Sequence, residues 1–263
     1  MTTTVRLDRQ DGVTRINLET DTGIHLLSAD CRAALKTAIR EIECDDDCRV
    51  VVLQSEGRTF IAGADISELK AQTRRTARKF AREGQRLAQQ LADLPAVTIS
   101  AIHGPCAGGG CELSLACDFR LAAASARIGL PETSLGLIPG WGGTVRSTLL
   151  LGPAVAKRII LSGELLPADE ALRIGLVDAV FPDDQFRAGV EARVAQLLSR
   201  GPLAIAAAKQ FIEALSQSDI DHLLRYEARV FGACYNTDEP EEGLSAFLEK
   251  RPAGWSPQEQ PED

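Results

Sequence analysis

The stretch that most restricts what this chain can become is Gly108-Gly109-Gly110, set between the apolar run Ala96 to Ile102 and the apolar helical segment Cys111 to Ala116. The run before it reads as a buried strand, Gly104-Pro105 breaks that strand, and the glycines open a helix. Without side chains, glycines let backbone N–H groups at a helix start come within bonding distance of a ligand, where the helix dipole favours negative charge. Glu112 lies three residues after Gly109, on the same face of the first helical turn. A carboxylate beside such N–H donors is the core of a proton-transfer site with an oxyanion hole. The same residues also fit a plain first-turn acid after a tight turn, so the rest of the chain has to decide.

A second turn of this kind lies upstream. Val50-Val51-Val52-Leu53 reads as a buried strand, and Phe60-Ile61-Ala62-Gly63-Ala64-Asp65-Ile66 follows as a strand-to-helix turn with Gly63 at its centre. Before it, Val5 to Leu7 and Val13 to Leu18 flank Asp11-Gly12 as a hairpin. Ser28 caps a helix whose apolar positions run from Cys31 to Ile42. Thr73 to Leu94 reads as a long helix with Phe80, Gly84, Leu87, Leu91 and Leu94 on its apolar side. Its arginines, from Arg74 to Arg86, read either as a solvated face or as an attraction for a polyanion.

Further on, Cys117 to Ala122 and Val177 to Phe181 read as strands, Pro131-Glu132 as a helix start, and Val145 to Leu151 and Ala154 to Leu161 as two helices split by Gly152-Pro153. From Asp184 the pattern is helical: Phe186 to Leu198, Pro202 to Leu215, Ile220 to Tyr235 and Gly243 to Lys250, with a Pro/Gln/Glu-rich tail from Pro252 that reads as frayed. This divides the chain into an α/β core, residues 1–200, and a helical region, residues 201–263.

Composition narrows the classes. A 263-residue chain with 44% apolar residues suits one sizeable core. Its net charge of −8 argues against a nucleic-acid or anionic-membrane binder. No apolar run reaches a membrane span, and the first residues lack a secretory or transit pattern, so the expected location is the cytoplasm. Seven cysteines without a C-x-x-C pair and three histidines without ligand spacing read as buried thiols and no metal site. There is no G-x-S-x-G, G-x-x-x-x-G-K, H-E-x-x-H or strand-linked G-x-G-x-x-G, which removes support from the serine hydrolase, ATPase, zinc peptidase and dinucleotide dehydrogenase readings.

Five segments together carry a family likeness. Phe60 to Ile66, His103 to Leu113, Pro131-Glu132, Gly136 to Thr144 and Glu242 to Arg251 resemble the crotonase superfamily, most of all enoyl-CoA hydratase, in order and spacing over nearly the whole chain. The resemblance implies an α/β crotonase-like spiral of ββα units with a C-terminal helical region that assembles trimers, often paired into hexamers. It implies an acyl-CoA substrate and no cofactor beyond the coenzyme A that the substrate carries. By motif, the N–H groups of Ala64 and Gly109 would form the oxyanion hole for the thioester carbonyl. Glu112 would be the base on the water that attacks C3, and Glu132 would deliver the proton to C2. Ala62, Asp65, Ile66 and Gly108 fall in the substrate-binding segments, and Phe247 and Lys250 match residues that reach a neighbouring subunit's CoA.

The chain departs from the family pattern at Leu18-Glu19-Thr20-Asp21-Thr22-Gly23-Ile24-His25, where relatives carry L-N-R-P and this sequence has acids instead of the basic residue beside the CoA path. Trp141 fills a position often small in relatives, and reads either as narrowing the acyl pocket or as a core aromatic. Retention of both glutamates favours a hydratase; the alternatives are an isomerase moving a double bond between C3 and C2, or a specialised acyl-CoA dehydratase. A non-catalytic protein binding RNA through the arginine-rich helix is the rival of another class.

Overall fold

The computed structural model describes residues 3–216 and 220–254; the end of the tail, residues 255–263, lies outside them. The hairpin is present as β1 (Thr4–Gln10) and β2 (Val13–Glu19), antiparallel about Asp11 and Gly12, both with positive φ. Then follow α1 (Ala29–Glu43), whose Cys31 N–H is accepted by the Ser28 side chain, β3 (Val50–Ser55), the short α2 (Ile66–Lys70), α3 (Arg74–Ala92), β4 (Val97–Ile102), β5 (Cys106–Ala107) and α4 (Gly109–Ser114). Next come β6 (Phe119–Ala123), β7 (Arg127–Gly129), a single 3₁₀ turn at Pro131–Leu135, α5 (Gly143–Ser162), β8 (Leu166–Pro167), α6 (Ala168–Arg173) and β9 (Ala179–Phe181). The chain continues as α7 (Phe186–Leu198), α8 (Pro202–Ser216), α9 (Ile220–Cys234) and α10 (Glu239–Glu249).

The main sheet runs β1-β2-β3-β4-β6-β9, parallel from β2 onward, and a smaller one runs β5-β7-β8. Each crossover advances the main sheet by one strand in the same direction, which coils the chain into a spiral of strand and helix turns. Side-chain alternation sorts the core. Ile16, Leu18, Val51 and Leu53 join the larger cluster with α1 and α3, while Val13, Val50, Val52, Ile99 and Leu121 face the other way and are covered by Val190 and Val194 of α7.

Some local expectations shift. The strand expected over Cys117 to Ala122 begins at Phe119, because Cys117 closes a turn with its N–H on the Ser114 carbonyl. The stretch Phe60 to Ala64 is not a regular strand; it makes single bridges, Ile61 to Cys106 and Leu27 to Ala64. Pro131 opens a 3₁₀ turn rather than an α-helix, and left-handed Gly136 (φ 71°) ends it within five residues. Gly152 breaks α5 with φ 77° and ψ 160°, so the two helices expected there are two in fact. Cys44 is exposed, unlike the buried Cys31, Cys106, Cys111 and Cys117. Arg74, Arg75, Arg78 and Arg86 of α3 lie on its solvated face. Among the described residues no helix is long and apolar enough to cross a membrane, and no group of three metal-ligating side chains occurs.

Candidate active site

The two glycine turns meet at one cavity. It is lined by Ala62, Gly63, Ala64 and Ile66 from the first turn, Gly108, Gly109 and Glu112 from the second, and Pro131, Glu132 and Leu135 from the 3₁₀ turn. Phe80 of α3, Gly140 and Trp141 of the loop before α5, and Phe231 of α9 complete the wall. Local geometry explains why glycine recurs. Gly63 (φ 117°) and Gly108 (φ 51°) hold backbone conformations that side chains disfavour. A Cβ on Gly110 would collide with the Ile61 backbone and one on Gly108 would lie 3.1 Å from Glu132 Oε1. Gly109, a lining residue of the cavity, is the first residue of α4, so its N–H has no acceptor within the helix.

Glu112 is 3% exposed. Its Oε1 accepts the backbone N–H groups of Trp141 at 2.7 Å and Gly143 at 2.8 Å. Burial, then repulsion by Glu132 and Glu227, pushes its pKa well above the usual carboxylate value, while those two N–H groups pull it back. Glu132 is pushed up to about 8, first by burial and further by Glu227. Its Oε2 is sealed from solvent and has no hydrogen-bond partner among the described residues. Two carboxyls that repel one another ionise unequally. The N–H donors favour the charge on Glu112, and the unpartnered oxygen favours the proton on Glu132.

The aromatic wall is a packed unit. Trp141 is 2% exposed, with its ring centroid 5.2 Å from that of Phe80, which in turn stacks on Phe231 at 6.4 Å. The Arg32 guanidinium lies 4.8 Å above Phe80 and 5.7 Å from Trp141. The indole occupies the space left by two glycines: a Cβ on Gly84 would collide with it, and one on Gly109 would lie 3.0 Å away. Trp141 is therefore a core aromatic whose ring also lines the cavity.

Asp65 does not line this cavity. Its carboxylate caps α2, accepting the N–H of Ser67 at 2.8 Å and its hydroxyl at 2.6 Å. Phe247, 58% exposed, and Lys250, the left-handed C-cap of α10, lie on the protein surface, outside the cavity. Glu227 was missed by sequence reasoning, as was its partner Gln85. Both are buried behind the Gly140 to Gly143 loop, and no local motif surrounds either of them.

A spiral of strand and helix turns whose two glycine turns and two glutamates, Glu112 buried and Glu132 half-buried, line one cavity is the frame of an acyl-thioester enzyme. The model of the family described as enoyl-CoA hydratase/isomerase matches residues 8–258. The chain is 36% identical to the short-chain-enoyl-CoA hydratase of Clostridium acetobutylicum over 94% of this chain and 95% of that protein. It is 34% identical to the crotonyl-CoA hydratase of Syntrophomonas wolfei over 95% and 96% of the two chains. A crystal structure of an enoyl-CoA hydratase from Mycobacterium avium subsp. paratuberculosis superposes with a TM-score of 0.86 at 30% identity, covering 96% of this chain and 98% of that one. The chain belongs to the enoyl-CoA hydratase/isomerase family.

Proposed function

We infer that this protein is an enoyl-CoA hydratase, which reversibly adds water across the double bond of a trans-2-enoyl-CoA to give a 3-hydroxyacyl-CoA. The carrying observation is that Glu112 and Glu132 line one cavity, with Glu112 accepting two backbone N–H groups and Glu132 Oε2 sealed without a partner among the described residues. The thioester carbonyl oxygen lies between the N–H groups of Ala64 and Gly109, which stabilise the enolate-like charge that develops on it; one such donor is worth ~3 kcal/mol. Ionised Glu112 takes a proton from the water as its oxygen attacks C3. Neutral Glu132 gives its proton to C2 on the same face, so the addition is syn. In dehydration the two exchange roles. Each proton transfer of this kind contributes roughly 10²–10⁴-fold in rate.

The acyl group is short. Trp141, seated between α3 and α4, is the wall that bounds the acyl end of the cavity. The names of the Clostridium and Syntrophomonas relatives support this reading. The rest of the reading is that the acyl-CoA brings the only coenzyme, that the enzyme works in the cytoplasm, and that the helical region from residue 201 assembles trimers or paired trimers. In that assembly Phe247 and Lys250 reach a neighbouring subunit's CoA.

The test is the absorbance of the conjugated enoyl thioester when crotonyl-CoA is mixed with enzyme. The wild type is expected to bleach it, and Glu112→Gln and Glu132→Gln to lose nearly all of that activity. Absence of bleaching with crotonyl-CoA and longer enoyl-CoAs, together with a gain of the same band from a 3-enoyl-CoA, would overturn hydration in favour of isomerisation.

A further inference from the structure

The loop that holds Glu112 is itself held by a third carboxylate. Glu227 projects from α9, 3% exposed, and its oxygens are surrounded by N–H donors. Oε2 accepts Gly142 N–H at 2.7 Å and Gln85 Nε2–H at 3.2 Å. Oε1 accepts Thr144 N–H at 3.1 Å and Val145 N–H at 3.3 Å. These are donors of the first turn of α5, where the N-cap residue Gly142 has no side chain to satisfy them. The cap is supplied instead from more than eighty residues downstream in sequence.

The same short segment serves Glu112 on its other side. The N–H groups of residues 141 and 143 point to Glu112, and those of 142, 144 and 145 point to Glu227. Adjacent peptide planes share an α-carbon, so one set of N–H groups cannot turn without the other. A helix N-terminus placed between two carboxylates also favours negative charge on both.

We propose that Glu227 is a positioning residue of the reaction, holding residues 141–145 so that the Trp141 and Gly143 N–H groups keep Glu112 oriented and ionised. Gln85 supports it from α3. Its Nε2 also donates to the Gly140 carbonyl at 2.9 Å and the Leu224 carbonyl at 3.0 Å, which ties the loop, α3 and α9 at one point. Every donor around Glu227 requires an acceptor, so only the carboxylate form satisfies all four. Burial pushes its pKa up to about 7, opposed by those donors and by the Arg146 guanidinium of α5. The other charges that face it are Glu112 of α4 and Glu132 of the 3₁₀ turn.

The inference rests on the hydratase reading for its kinetic arm alone. Glu227→Gln keeps the shape and places an NH₂ group against N–H donors. Its kcat for crotonyl-CoA, measured well below its own Tm, is expected to fall about tenfold or more with KM within about twofold of wild type. Lys209→Met, which breaks the half-buried pair of α8 with Asp118, is the stability control and should lower Tm without changing kcat. A second arm needs no turnover. In a Trp255→Phe background Trp141 is the single tryptophan, and Glu227→Gln should raise its collisional quenching severalfold. Lower Tm with unchanged kcat and unchanged quenching would make Glu227 a helix cap and nothing more. Should Glu227→Gln fail to fold, Glu227→Asp carries the test: it keeps the charge and withdraws it, so a reduced kcat at constant KM supports the proposal and an unchanged kcat overturns it. A wild type inert toward crotonyl-CoA and longer enoyl-CoAs, yet forming the conjugated band from a 3-enoyl-CoA, would overturn the hydratase reading, while the quenching arm would still decide for or against Glu227.

Discussion

The Trp141 backbone N–H donates to Glu112 Oε1 at 2.7 Å while the Trp141 indole, 2% exposed, closes the cavity that Glu112 faces. One residue thus both holds the Glu112 carboxylate and walls the cavity, so in the proposed mechanism the orientation of the base and the limit on the acyl chain are mechanically joined.

Opening that wall should change selectivity. Trp141→Ala is expected to raise kcat/KM for an eight-carbon enoyl-CoA relative to crotonyl-CoA by about tenfold or more, since one missing methylene is worth about 1–3 kcal/mol in an apolar pocket. Stability should fall by about 3 kcal/mol for the deleted ring. Competition between the two substrates read by product chromatography checks the first, and thermal unfolding the second. An unchanged ratio would mean that the acyl chain leaves the cavity by another route.

The loop tolerates no side chain at Gly143. A Cβ there would lie 2.8 Å from Glu112 Oε1 and 2.9 Å from Pro139 Cβ. Gly143→Ala should therefore lower kcat by about 10²-fold or more, by displacing a catalytic group, with a smaller effect on KM. Steady-state kinetics on folded variant decides this.

The pH profile of kcat/KM for hydration should fall on the alkaline side with an apparent pKa near 8, because Glu132 must carry a proton to deliver it. On the acid side activity should fall as Glu112 takes up a proton. Glu132→Gln is expected to remove the alkaline limb from whatever activity remains. A limb that persists in that variant would assign it to another group.

Stability should follow the same carboxyls in the opposite sense to a salt-bridged acid. Burial raises the folded-state pKa of Glu132 to about 8 and of Glu227 to about 7 from an ordinary 4.5, so between those values the folded state binds more protons than the unfolded chain. Their contribution to stability is therefore greatest at low pH and is lost as pH rises from about 4.5 to 8. Glu132→Gln, which never ionises, should melt higher than wild type at pH above 8, by about 2–4 °C for each kcal/mol relieved. Calorimetric scans of both proteins across this range provide the check.

The half-buried ion pair between α8 and Asp118 is a test of structure without chemistry. Lys209 Nζ donates to Asp118 Oδ2 at 2.7 Å and to the Ala96 carbonyl at 2.9 Å, and the same Asp118 oxygen accepts the N–H and hydroxyl of Thr98. Lys209→Met leaves the half-buried Asp118 carboxylate with only its Thr98 donors and should cost about 1 kcal/mol in chemical denaturation.

The sequence alone determined the parts of this protein that depend on neighbours in the chain. Continuous apolar runs set the strands β3 and β4, hydrophobic period set the helices α1 and α3, and the Ser28 cap marks where α1 begins. The glycine turns at Gly63 and Gly108 and the placement of Glu112 on the face of Gly109 follow from backbone sterics and helical spacing, which by themselves left an oxyanion site with a proton-transfer acid and a plain first-turn acid both open. The two-residue strands β5 and β8 were not legible, because such short segments have no period and exist only through their partners in space. Tertiary structure alone decided that Trp141 lies across Gly84 and Gly109, that Glu112 is held by N–H groups from residues 141 and 143, and that Glu227 holds their turn from behind. The reason is physical: a buried carboxylate is satisfied by whichever donors the packed chain brings to it, and donors from distant segments leave no mark on the pattern around the acid itself.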